Sequence, residues 1–333
     1  MKSKNCIELG AIAVAGTAVI LTLPIVTEIY TIYSVSVYLI MAMLALSLGF
    51  VWGIGGILSF GQAAFFGIGG YTYALYAINE GSSTMPLLMA VAVPAIVAAL
   101  VGYFTFYGRV SDVYFGVISL ILALILYNVV NSSSGAEFTI GSAPIGGYNG
   151  IPTVPSINVP FAPDQQLDYG QFFYVAAFSL LIVYLLLRVL MLAKFGRVVA
   201  AVRENELRAE LLGYDVRLYR LGTFCIGAGI AGFAGALFAA WGNFIGPSVF
   251  SLGFSAQVIV WVVMGGLGTL VGPMIGAALI QAVITWLGDT KILEPMIVLG
   301  SIFLALVLVV PKGLVPSATS AWRRIARRGE EKA

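Results

Sequence analysis

No charged residue lies between Glu28 and Glu80, and none lies between Arg220 and Asp289. Each gap is long enough for two or more helical membrane crossings at roughly 20 residues apiece. With 60% hydrophobic and 10% charged residues over 333 positions, the chain has too little polar surface to coat a water-soluble domain around one core. It therefore belongs in a bilayer. The apolar stretches are continuous, whereas barrel strands alternate every second residue, so the expected class is all-α.

Reading apolar runs between breakers gives about ten crossings (range eight to ten), near 7–26, 33–52, 57–78, 86–106, 113–131, 172–192, 221–241, 253–266, 270–287 and 293–310. Lys2 and Lys4 ahead of the first run imitate a signal peptide. No small-x-small site follows, however, and the run is long enough to span. With both termini inside, sixteen of the seventeen Lys and Arg residues fall on the cytoplasmic side and only Lys291 falls outside. The reading is one polytopic domain over 1–333, with a cytoplasmic loop at 193–220, an outer loop at 132–171 and a basic cytoplasmic tail at 311–333. The outer loop has no basic residue and is proline-rich, which suits either a stiff connector or a docking surface. The tail's default contact is anionic lipid.

Several chemistries lack their residues. No G-x-x-x-x-G-K-[ST] phosphate loop occurs, so ATP would have to be handled by another chain. Histidine is absent, Cys6 and Cys225 are far apart, and no metal set, cofactor site or catalytic pair is expected. Nothing calls for a nucleic-acid partner. Without interior Asp, Glu or His to relay protons, an ion-coupled secondary carrier is disfavoured, although carbonyls and hydroxyls can still hold sodium.

Two stretches stand out. Residues 196–220 carry nine charged side chains in twenty-five positions. There "RENELRAELLG" predicts a surface helix with a Glu204 to Arg208 pair at i,i+4 and Gly213 as its stop. It reads either as a solvated loop or as a lever that docks on a soluble motor. Residues 49–70 hold eight glycines, which predicts a broken helix whose free N–H and C=O groups suit a zwitterion. The candidate substrate path there is Ser59, Gly61 and Gln62, flanked by Phe65, Phe66 and Tyr71; close helix packing explains the glycines equally well. Gln257 and Gln281 are further cavity candidates. Gly227, Ala231, Gly235 and Ala239, with Ala228, Gly232, Ala236 and Ala240 beside them, form small-residue stripes for packing. "MGGLGTLVGP" (264–273) predicts a tight reversal, with a gating hinge as the alternative.

"LSFGQAAFFGIGGYTYAL" (58–75), "GGYNGI" (146–151), "GRVVAAVRENELRAELLGYDVRLYRL" (196–221), "GGLGTLVGPMIGA" (265–277) and "PKGL" (311–314) together resemble the signatures of branched-chain amino-acid ABC-importer permeases of the LivM type. Related urea and short-amide permeases share these signatures. The resemblance implies a permease subunit in a bacterial inner membrane. Its partners would be a homologous permease subunit, two ATPase subunits and an extracytoplasmic binding protein. It also implies that Glu206, Ala209 and Gly213 match the ATPase-coupling helix, with Arg203, Glu204 and Arg208 around them. Arg208 replaces an alanine of that signature, and Gln62 stands where the family often has histidine.

Overall fold

The computed structural model describes residues 2–135, 137–159, 162–290, 300–301 and 313–317. Its apolar runs are helical, as hydrocarbon demands of a backbone that must satisfy its own polar groups. In chain order the helices are α1 (Lys2–Val26), α2 (Ile29–Leu48), α3 (Gln62–Glu80), α4 (Thr84–Tyr107), α5 (Asp112–Ser132), α6 (Tyr169–Leu192), α7 (Lys194–Glu204), α8 (Glu206–Leu211), α9 (Val216–Gly242), α10 (Leu252–Gly265) and α11 (Val271–Thr290). Among the described residues, six stretches are long and apolar enough to cross a membrane: Ile29–Ile54, Thr84–Tyr107, Asp112–Ser132, Tyr169–Leu192, Val216–Gly242 and Val271–Gly288. The helices at the third and eighth expected crossings fall short of that length or hydropathy. The tenth expected crossing lies outside the described residues except at 300–301, as does the tail at 322–332.

Burial sorts these helices into layers. The apolar window of Ile29–Ile54 is 83% buried within the chain and that of Val216–Gly242 72%, against 22% for α4 and 28% for α5 and α6. α2 and α9 therefore form the centre, and α4 to α6 present apolar flanks outward. The small-residue stripes of α9 explain how it sits there. A Cβ at Gly232 would run into the Ala90 carbonyl and Pro94 of α4, and one at Gly235 into the Phe66 carbonyl of α3. Such backbone contact lets dispersion act over short interaxial distances without needing a hydrophobic drive.

The segments between helices gather on two opposite faces. One carries α7, α8, the α4–α5 junction and the α10–α11 junction; it is the basic face. The other carries the segment between α5 and α6, where the expected all-α class is qualified by short hairpins. β1 (Thr139–Ile140) pairs with β2 (Ala143–Pro144), and β4 (Asn158–Val159) with β5 (Ala162–Gln166). β3 (Ile151–Pro152) pairs with β6 (Phe244–Ile245), which follows α9. The "GGYNGI" turn makes that pairing possible, since Gly146, Gly147 and Gly150 all take positive φ and a Cβ on Gly150 would strike the Ile245 carbonyl. Tyr73 Oη donates to the Pro155 carbonyl at 3.1 Å, and Asn243 Nδ2 donates to that of Val154 at 2.9 Å. The loop is fastened to the helix ends along its length.

Candidate functional site

The charged stretch folds as an elbow, not as the single surface helix expected. Asn205 is extended (φ −160°) and ends α7, and its side-chain oxygen accepts from the Arg208 N–H at 2.9 Å to cap α8. An Asn that can cap a new helix competes with continuing the old one. The expected Glu204–Arg208 pair is therefore overturned, because the two residues lie on different helices. Gly213 does stop α8. With φ +84° it donates to the Glu210 carbonyl at 2.9 Å, and Tyr214 donates to that of Ala209 at 3.2 Å. Ala209 is buried with Val198, Val202 and Val216, so α7, α8 and the start of α9 share one small core.

Glu206 finds its partner far along the chain. Arg220 Nη1 donates to both Glu206 carboxylate oxygens at 3.2 Å, and Nη2 to Asp112 at the start of α5. The guanidinium lies over the Phe106 ring of α4, 5.2 Å from its centroid. Arg220 thus rivets the elbow to the α4–α5 junction beside a cavity of about 460 Å3. Below it the rings of Phe106, Phe115 and Phe224 pack together, and Phe224 meets Phe65 of α3 at 5.2 Å. Arg220 was not among the residues singled out from sequence. Its signal there, a cation at the mouth of a span, is common to any inward-facing loop.

The helix break also exists, inside the glycine-rich stretch where it is expected. α2 runs on as a π-helical segment (Gly49–Ile54), residues 55–61 are not helical, and α3 begins at Gln62; the expected crossing at 57–78 thus loses its first residues. The Phe60 and Gly61 N–H groups that the break frees donate to one hydroxyl, Ser119 Oγ, at 3.0 and 3.2 Å. Ser119 lies about two turns into α5, well inside the span. Gly61 packs against the Ser119 backbone. Gln62 Nε2 donates to Ser47 Oγ and to the Gly227 carbonyl, each at 3.1 Å, bracing α3 against α2 and α9. Ser59, Phe65 and Phe66 are fully buried, and Tyr71 is stacked on Phe250. The structure therefore brings these six residues together as packed interior. Ser59 Oγ, Gln62 Oε1 and Tyr71 Oη find no hydrogen-bond partner within it.

The two unusual segments meet at Arg203. A Cβ at Gly56 would lie 3.0 Å from its Cγ, and one at Gly268 would lie 3.9 Å from its Nη1. The α10–α11 junction is the reversal expected, with Gly266 and Gly268 at positive φ. A cavity of about 690 Å3 opens there, lined among others by Ile54, Tyr184, Arg203, Glu204 and Thr269. Gly313 of "PKGL" abuts Gly266. No group of three or more metal-ligating side chains occurs among the described residues.

The family described as "Branched-chain amino acid transport system / permease component" matches residues 30–311. The chain belongs to this family. The permease is 28% identical over 305 residues to the high-affinity branched-chain amino acid transport system permease protein LivM of Escherichia coli (strain K12), covering 84% of this chain and 68% of that protein. The protein of the same name from Salmonella typhimurium is 28% identical over 307 residues, with the same coverage. A probable branched-chain amino acid transport permease protein LivM from Methanocaldococcus jannaschii is 29% identical over 239 residues, covering 67% of this chain and 66% of that protein. No solved structure matches. The chain is an integral membrane transport component, and the match begins just after α1.

Proposed function

We propose that the permease is the membrane subunit of an ATP-driven importer for leucine, isoleucine and valine. In a bacterial inner membrane it pairs with a homologous permease subunit, two ATPase subunits at the basic face and a binding protein at the loop face. The chain crosses the bilayer about ten times with both termini in the cytoplasm. The observation that carries this reading is the family match over residues 30–311.

The geometry supports a mode of action. The elbow is a compact body fixed by its own core, by Arg220 to α4 and α5, and by the Arg203 stem to the broken segment. An ATPase that pushes on Glu206, Arg208 and the outer surface of α8 moves those attachments together, which is how a docked lever biases two arrangements of a packed bundle. The broken segment between α2 and α3 is the element suited to yield. Buried polar atoms of Ser59 in the break and of Gln62 and Tyr71 on α3 lack partners, at a cost of about 1–3 kcal/mol each, and such a site gains when an alternative arrangement supplies partners. On this reading the path through Ser59, Gly61, Gln62, Phe65, Phe66 and Tyr71 opens when α3 and α9 part.

The test is ATP-dependent leucine uptake by the assembled complex in proteoliposomes, with urea as competitor. Uptake of leucine unaffected by excess urea supports the reading; displacement by urea assigns the permease to the amide branch instead. Uptake by this chain alone under a sodium or proton gradient would overturn ATP coupling. Glu206→Lys, with the spans intact, is expected to leave ATP hydrolysis running while uptake stops.

A further inference from the structure

A second polar feature lies away from both the elbow and the helix break. Between α2, α9, α10 and α11, in the half of the bundle nearer the loop face, opens a cleft of about 410 Å3. Aromatic rings from Tyr33, Trp241, Phe254 and Trp261 form its walls, and Gln257 of α10 and Gln281 of α11 add two carboxamides. Among the described residues no Asp, Glu, Lys or Arg lines it.

Both carboxamides are without partners. Neither glutamine side chain has a hydrogen bond to any described residue, although both sit inside apolar helices. Trp261 is fully buried, and its indole Nε1 is also unpartnered. A carboxamide left in hydrocarbon without a hydrogen bond costs several kcal/mol, so the cleft calls for water or a polar ligand, not lipid chains. A route to it exists. The stacked pair Tyr33 and Trp241, 4.5 Å between centroids, separates the cleft from a smaller cavity of about 110 Å3. That cavity lies beneath the outer loop, lined by Ser156 and Gln166. Trp241 Nε1 donates to the Tyr33 carbonyl at 3.1 Å, so the pair closes off the cleft as a hydrogen-bonded plug.

We infer that this cleft is an uncharged vestibule that receives the zwitterionic amino acid from the loop face, an assignment that rests on the importer reading above. Each carboxamide offers both a donor and an acceptor, which suits an α-carboxylate and an α-ammonium held side by side. The aromatic walls suit a branched aliphatic side chain. The lack of fixed charge keeps the hold weak, as a way station that must release its cargo requires. The volume exceeds what a molecule as small as urea needs, so the cleft favours the larger, partly apolar substrate.

The test uses the assembled complex in proteoliposomes, with Cys6 and Cys225 replaced by serine. Gln281→Cys is expected to react with a water-soluble thiol reagent, and saturating leucine with ATP withheld is expected to slow that reaction. Leu279→Cys, exposed on the same helix outside the cleft lining, is expected to stay unreactive. In the unmodified background Gln257→Leu and Gln281→Leu should each raise the KM for leucine about fivefold, the scale of one lost hydrogen bond. Equal reactivity at 279 and 281, or an unchanged KM in both leucine variants beside normal wild-type uptake, overturns the vestibule and leaves the importer reading standing. Absence of leucine uptake by the wild-type complex overturns both.

Discussion

Arg220→Met tests whether the elbow is riveted to the spans, because it keeps the length of the side chain and removes its charge. Arg220 is only 13% exposed at the side chain, whereas Asp112 and Glu206 are 52% and 51% exposed. Removing the cation therefore leaves two carboxylates that water can reach, not two buried charges. A charge-assisted hydrogen bond reaches about 1.5–3 kcal/mol when fully enclosed and an exposed ion pair only about 0.2–1. For these half-exposed partners about 1 kcal/mol per pair is appropriate, and the loss of the contact with Phe106 adds about 0.5 kcal/mol. A total near 2.5 kcal/mol corresponds to about a 70-fold rise in local opening. Hydrogen exchange of the purified complex should show that acceleration at the α8 amides and the α8–α9 turn, with α2 and the middle of α9 unchanged. Arg220→Lys should fall between, since a point charge serves one carboxylate well but not both. If exchange over 206–214 changes less than about threefold in Arg220→Met, or if the core of α9 opens to the same extent, the rivet account is wrong.

Ser119→Ala leaves the Phe60 and Gly61 N–H groups buried without an acceptor and is expected to cost about 3 kcal/mol, visible as a lower thermal midpoint in detergent, whereas Ser119→Thr should recover part of it. Gly235→Ala forces a methyl onto the Phe66 carbonyl and should destabilise by at least about 1–3 kcal/mol by the same measurement; Gly170→Ala, with nothing near its Cβ, should not. Gly213→Ala strains a left-handed position and is expected to cost about 1–2 kcal/mol, confined to exchange in α8, with Gly213→Asn milder. Gln62→Leu removes the brace between α3, α2 and α9, and should cost about 1–3 kcal/mol by taking away the amide donor shared by Ser47 Oγ and the Gly227 carbonyl.

Features whose cause is local were readable from sequence. Gly213 as a stop, the reversal at 264–273 and the stripes on α9 follow from backbone freedom and helical spacing alone, and the structure has each of them where expected. Local reading failed where two local choices competed. Residues 203–213 have good helix formers on both sides of Asn205, and only the cap with Arg208 tips the balance toward two helices. At the helix break, the glycines announced an interruption, but what satisfies it is a hydroxyl 58 or 59 residues away. Gln62 could be seen as an isolated amide, yet that it braces three helices depends on Gly227, 165 residues on.

The amino-acid order by itself determined that the chain is a helical membrane protein, because charge-free runs of that length leave the backbone no other way to satisfy its hydrogen bonds in hydrocarbon. It also determined that nine ionic side chains collect in the stretch 196–220, since water at the bilayer edge is where they are stable. Only the tertiary structure decided which of those charges meet, which glycines are contacts and which are turns, and where unpartnered amides surround a cleft. Those outcomes depend on directional contacts between helices far apart in the chain, and hydropathy, being a sum over neighbours in sequence, carries no record of them.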